Sequence, residues 1–312
     1  MNAVGQLLAD PLTYPFLRRA FAAALAAAVV CAVLSCWLVL TGWSLLGDAV
    51  SHAVLPGVVL SYILGLPFAL GATVFGLLAV WLIGGLRRTS RVKEDASIGI
   101  VFTTLFALGL VLVSVTPSQV DLNHIVFGNL LGVSRTDLAQ VLVLAAVCLT
   151  VLLIRRRDLT LWAFDPRHAR VVGLNPRVLA GILLGCLALT CVVAMQTVGV
   201  VLVVAMLVIP GATAQLLTRR FPRMLGIAVA SSLVCTVTGL YLSVALDASS
   251  GGCVVLCQGA WFAAVYALTR QHGPLREPCG DSEALGVLPE HRTAPETPRR
   301  DRRGASGQLS ET

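Results

Sequence analysis

The stretch GDAVSHAVLPG, Gly47 to Gly57, sets a carboxylate and an imidazole four residues apart inside an otherwise apolar run. On a helix, Asp48 and His52 project from one face. A carboxylate near the centre of a bilayer costs about 2.5–3.5 kcal/mol on insertion scales, so its presence there calls for a reason. One turn apart, a carboxylate oxygen and an imidazole nitrogen can share a divalent cation of the Mn, Fe or Zn type. Ser51 adds an oxygen on a neighbouring face, and Pro56 and Gly57 follow at once, where a proline weakens the helix ladder and frees carbonyls. Two ligands suit a transit point rather than a closed site, which usually has four. The same pair would also serve as a hydrogen-bonded contact that fixes helix packing.

Four other groups of residues bear on function. Asp121 and His124 lie three apart in a more polar stretch and are either an outer metal site or ordinary solvated side chains. VGVVLVVAMLVIPGATAQLL, Val198 to Leu217, carries Pro210-Gly211 and predicts a kinked or broken helix, lining a pore or packed on a neighbour. Pro56, Pro210 and Gly211 are the candidate kinks of such a pore. LTLWAFDPRHARVVGL (159–174) predicts a short helix with Asp165 as N-cap, Pro166 at its first position and Gly173 ending it. Lying under a membrane, that helix would either seat in a soluble partner or rest at the interface. Eight of the nine cysteines fall in apolar runs; packing explains them better than ligation, the Cys253–Cys257 pair included.

The elements that must position these residues are read from composition. The chain is 57% hydrophobic and only 12% charged, against roughly 25% charged in an ordinary soluble domain. Apolar runs occupy about 20–42, 47–64, 68–86, 96–114, 137–154, 178–195, 198–218, 224–246 and 251–269, and lengths of about 18 residues or more suit a bilayer core of roughly 30 Å. An all-α, polytopic membrane protein with about nine transmembrane helices is expected; a barrel would instead show alternating segments of about ten residues. Residues 1–270 form the transmembrane domain, and 271–312, rich in Arg, Glu, Pro, Gly and Ser, are expected to be a disordered cytoplasmic tail.

The net charge of +7 resides mainly in Arg clusters between the runs, which speaks for membrane orientation rather than nucleic acid. Arg87, Arg88, Arg91 and Lys93, then Arg155 to Arg157 with Arg167, Arg170 and Arg177, then Arg219, Arg220 and Arg223, and finally Arg270 are separated by even numbers of crossings. All can be cytoplasmic together, which places the N-terminus outside and the C-terminus inside; Arg18 and Arg19 go against this.

Taken in order, the motifs resemble the permease subunit of the ABC-type manganese/zinc/iron importers, the ABC-3 family. GDAVSHAVLPGVVLSYILG (47–65), KEDASIGIVFTTLFALG (93–109), DLNHIVFGNLLGVS (121–134), FDPRHARVVGL (164–174) and VGVVLVVAMLVIPGATAQLL (198–217) carry the likeness, over roughly residues 11–270. The resemblance implies a bacterial cell-membrane importer of two permease chains, expected to be identical, with two cytoplasmic ATPases and an extracytoplasmic metal-binding protein. It implies that Asp48 and His52 contact the travelling metal, which is substrate and not a resident cofactor. It further implies that Phe164–Gly173, with Asp165, Pro166 and Gly173, forms the coupling helix that seats in the ATPase. Two departures stand out: Thr41-Gly42-Trp43 stands where members commonly carry an Arg pair, and Pro210-Gly211-Ala212 replaces Pro-Ala-Ala.

No GxxxxGK[ST] loop, HExxH or GxSxG is present, so the chain is expected not to be an enzyme and to draw on ATP hydrolysed by a separate subunit. Alternating access driven by that subunit is the first expectation. A secondary, proton-coupled transporter that uses the same Asp–His pair as a relay is the second, and a membrane scaffold the third. Mn, Fe and Zn all suit an Asp–His pair, so selection among them is left to the external binding protein and to metal availability.

Overall fold

The computed structural model describes residues 15–66, 68–89, 94–115 and 134–271, and every regular element among them is a helix. In chain order these are α1 (Pro15–Thr41), α2 (Ser44–Ala53), α3 (Leu55–Leu64), α4 (Phe68–Thr89), α5 (Glu94–Val115) and α6 (Arg135–Ile154). Then follow α7 (Arg156–Phe164), α8 (Pro166–Val171), α9 (Pro176–Val198), α10 (Val200–Leu217), α11 (Phe221–Leu246) and α12 (Ser250–Gln271). Asp121 and His124, and the tail beyond Gln271, lie outside the described residues.

The helix α1 is the centre of the packing. Beyond Arg18 and Arg19 it is apolar on all sides and rich in alanine, the pattern of a helix enclosed by others, and 72% of its apolar stretch is buried within the chain, against 22% for α5. α6, α9, α10 and α11 pack around it. Close approach between α1 and α10 is made at Gly211, where a Cβ would come to 2.7 Å from the Ser35 carbonyl oxygen. Small residues at such crossings let backbones touch, the usual basis of helix association in lipid.

Five helical stretches are long and apolar enough to cross a membrane: Pro15–Thr41, Ser44–Leu64, Asp95–Val115, Phe221–Leu246 and Ser250–Arg270. A sixth results if Leu138–Ile154 and Arg156–Phe164, bent by 64°, count as one. The expected nine crossings are therefore not reached by length and composition among the described residues. The difference lies in α4, α9 and α10, whose apolar stretches Leu70–Leu86, Pro176–Val192 and Val201–Leu217 are each 17 residues long, at the lower end of the roughly 17–25 that span a bilayer core.

Local chemistry explains the breaks that matter for function. α1 ends on Gly42 at φ +75°, with Trp43 N–H donating to Leu38 O (2.8 Å) and Gly42 N–H to Val39 O (3.3 Å). This left-handed cap needs glycine and turns the chain into α2 within two residues. The break between α2 and α3 falls at Val54, just before Pro56, which has no N–H to give to the His52 carbonyl four residues back. The Val54 N–H donates to that carbonyl instead.

Candidate functional site

The ten residues of α2 position the candidate pair. Gly47, Ala49, Val50, Ser51 and Ala53 are buried, on a helix that packs against α9 and α10 as well as α5. Asp48 and His52 sit on the remaining face, their side chains 44% and 33% exposed, with Asp48 Oδ1 3.3 Å from His52 Nε2. The imidazole is held on its other side by α5. Its ring centroid lies 5.5 Å from Phe102 and 5.4 Å from Phe106, at interplanar angles of 55° and 80°. The two phenyl rings stack on each other at 6.0 Å, so carboxylate and aromatic contacts together restrict the ring.

The arrangement can do two things chemically. A neutral His52 with hydrogen on Nε2 donates to Asp48. With hydrogen on Nδ1 it turns a lone pair toward the carboxylate, and a cation can then take both atoms at once. Oxygen and nitrogen donors of this kind accept Mn, Fe and Zn. Among the described residues no group of three or more His, Cys, Asp or Glu could hold a metal ion, and none of them adds a third ligand of these types to the pair.

Ser51 does not add the expected oxygen. Its hydroxyl is buried and donates to Gly47 O at 2.8 Å, the back-bond open to any serine inside a helix. Cys191 Sγ approaches the same carbonyl at 3.8 Å. Pro56 stands at the start of α3, as expected of a break, and Gly57 beside it presses on α4, where a Cβ would overlap the backbone of Gly71. Pro210 and Gly211 are buried inside α10, which is one helix from Val200 to Leu217, so of the expected kink or break there is no break in the helix, and Gly211 serves contact with α1. Near Pro210, Thr213, Ser232 and Gln258 line a crevice between α10, α11 and α12 too narrow to admit a water molecule. The Gln258 side-chain amide is buried, and among the described residues neither its nitrogen nor its oxygen has a hydrogen-bond partner.

The segment 156–174 folds as two short helices rather than one, joined at Asp165. The extended Asp165 caps α8, its Oδ1 accepting from His168 N–H and Arg167 N–H at 2.9 Å each. The His168 N–H chiefly, then Arg167 N–H and the charge of His168, hold the Asp165 carboxyl below its ordinary value. Pro166 occupies the first turn, and Gly173, at φ +85°, ends the helix with Gly173 N–H on Arg170 O and Leu174 N–H on Ala169 O. Only Ala169 of α8 is buried; Val171 is 83% exposed and Val172, Arg167, His168 and Arg170 are exposed beside it. α7 is the opposite, anchored by buried Leu159 and Trp162. Trp37 Nε1 donates to Thr160 Oγ1 (3.3 Å), and the Trp43 and Trp162 rings meet edge-on at 5.4 Å and 64°.

Two structural features escaped sequence reasoning. Phe102 and Phe106 are one turn apart in the apolar run VFTTLFALG (101–109), where nothing distinguishes a ring that faces a histidine from one that faces lipid. The tryptophan contacts join residues more than 100 positions apart, and no local pattern encodes them.

The profile of the ABC 3 transport family matches residues 13–269. The chain is 53% identical over 249 residues to the manganese transport system membrane protein MntB of Synechocystis, covering 80% of this chain and 81% of that protein. It is 47% identical over 296 residues to the chelated iron transport system membrane protein YfeD of Yersinia pestis, covering 95% and 99%. Among solved structures it is similar to PsaBC of Streptococcus pneumoniae in complex with Fab, with a TM-score of 0.78 at 36% identity, over 84% of this chain and 95% of that one.

Proposed function

Because the chain belongs to the ABC 3 transport family, we propose that it is the membrane permease of an importer that carries a divalent transition-metal ion, manganese or iron foremost, into the cell. Both metals are named in the relatives' descriptions, and zinc suits the same donors. The observation that carries the proposal is the half-exposed Asp48–His52 pair, 3.3 Å apart on a membrane helix. Two donors hold a cation loosely enough to release it, which a four-ligand site would not.

In this reading the power comes from a separate ATPase that docks on α8. The exposed valines and basic side chains of α8, held on a capped and glycine-terminated turn, suit a docking surface. Two permease chains, expected to be identical, would rock about their shared face and open the Asp48–His52 pair alternately to each side, with an extracytoplasmic binding protein delivering the metal. The nine apolar runs would be nine crossings, α4, α9 and α10 included. The N-terminus would then be outside, and the Arg-rich ends of α6 and α10 cytoplasmic. Contact between the α1–α2 turn and α7 fits this count of crossings, which puts both on one side. Asp121 and His124 would form an outer metal site, and Pro56 a hinge of the path.

The test is ATP-dependent uptake. Proteoliposomes holding the permease with its ATPase and binding protein should take up manganese or iron only when ATP is enclosed on the ATPase side. Uptake driven by a proton gradient without ATP would instead establish the proton-coupled alternative.

A further inference from the structure

We propose that Trp43 and Trp162 form the mechanical link between the ATPase-docking segment and the metal pair, with Trp43 a positioning residue for Asp48 and His52. This rests on the reading of α8 as the docking helix, with α7 behind it, and of Asp48–His52 as the transit site. Trp43 is the residue immediately before α2, the helix that bears both metal-facing side chains. Asp48 follows it by five residues and His52 by nine, so at 1.5 Å per residue they ride on the same short rod roughly 8 and 14 Å from its base.

The base of that rod is fixed twice to α7. Trp162 meets Trp43 edge-on at 5.4 Å, and Thr160 Oγ1 accepts from Trp37 Nε1 at 3.3 Å on the last turns of α1. Trp43, Trp162 and Trp37 are all buried, and side chains packed at interior density pass on a displacement rather than absorb it. Nor can the α1–α2 connection absorb it. It is two residues long and closed by the Gly42 cap, with Trp43 N–H on Leu38 O. The other end of the rod is free to differ, because the ladder breaks at Val54 and Pro56, two residues beyond His52.

These features define a lever. Movement of α8 passes through the junction at Asp165 to α7, from Trp162 to Trp43, and tilts α2 about the break at Val54. The Asp48–His52 pair then turns relative to the Phe102–Phe106 wall on α5, while α3 keeps its contact with α4. An aromatic contact takes the place of the charged anchor that the Thr41-Gly42-Trp43 sequence lacks.

The test uses the whole permease–ATPase complex with Trp43→Ala, Trp162→Ala, the double variant, and Phe at each position. Each is compared with wild type for ATPase co-purification, ATP hydrolysis and uptake of radiolabelled manganese and iron. Either alanine variant should lower uptake about tenfold while co-purification and hydrolysis stay within about twofold, and the double variant should be no worse than the worse single, the mark of a shared contact. Phenylalanine should restore most of the uptake. Near-normal uptake in both alanine variants overturns the proposal, as do losses that multiply in the double variant, or uptake and co-purification falling together. If alanine prevents accumulation, Trp43→Leu and Trp162→Leu are judged by the same outcomes. A wild-type complex that takes up neither metal overturns the importer reading itself and this proposal with it, a result seen without any variant.

Discussion

Asp48 and His52 occupy successive turns of α2, with Oδ1 and Nε2 3.3 Å apart and both side chains partly open. Among the described neighbours, Ser51 bonds its own helix, Cys191 lies against the Gly47 carbonyl, and Phe102 and Phe106 close one side of the imidazole.

Phe106→Ala and Phe102→Ala should weaken metal handling without abolishing it. Each removes one aromatic contact to the imidazole, worth about 0.5–1.5 kcal/mol, equivalent to a change of roughly 2- to 10-fold. In transport assays the effect should appear as a raised half-saturating metal concentration, with the maximal rate less affected. Leucine at either site, which fills the space but offers no ring, should fall between alanine and wild type.

Gly211→Ala should destabilise the chain, because its new Cβ meets the Ser35 backbone at 2.7 Å, and backbone cannot swing aside as a flexible side chain can. A cost of about 1–3 kcal/mol is expected for such overpacking. Gly226→Ala is the control, since a Cβ there meets nothing within 4 Å and glycine is a poor helix former. Thermal unfolding in detergent should show the first lowered and the second equal to or above wild type.

Much of the fold was legible in residue pattern. Each apolar run falls on a helix or, at 47–64, on the pair α2–α3, and the Asp165, Pro166 and Gly173 signals mark the two ends of α8. These are local rules of hydropathy and capping, which operate within a turn or two. The uninterrupted α10 was not legible, because a proline is tolerated where neighbouring helices hold the chain, and Gly211 against Ser35 supplies that support. The inward turn of Ser51 was equally hidden, since its spacing from Asp48 does not say which acceptor its hydroxyl will choose.

The Asp165 cap should carry a pH signature. Its folded-state pKa lies below the ordinary carboxylate value, chiefly through the His168 N–H. Its contribution to α8 is therefore complete above that ordinary value, about 3.9, and is lost as pH falls through the lower folded value. Hydrogen exchange of α8 amides, corrected for intrinsic rates, should show protection at neutral pH that declines in acid. Asp165→Asn should keep most of the protection and lose the acid dependence; Asp165→Ala should lose protection at every pH.

At Gly173 the expected effect is one of backbone alone. A Cβ there meets nothing within 4 Å, yet φ is +85°, a conformation costing a branched residue about 1–2 kcal/mol. Gly173→Val should reduce ATPase co-purification, and Gly173→Asn, which tolerates the left-handed region better, should recover part of it. Equal binding in both would mean that the end of α8 does not matter for docking.

The most direct measurement is initial uptake of radiolabelled manganese and iron by cells whose only permease of this type is wild type, Asp48→Ala or His52→Ala at matched membrane abundance. Each substitution removes one of the two donors, and both should reduce uptake to the level of cells without the permease while ATPase co-purification persists. Wild-type uptake of both metals by both variants would contradict a metal path through Asp48 and His52.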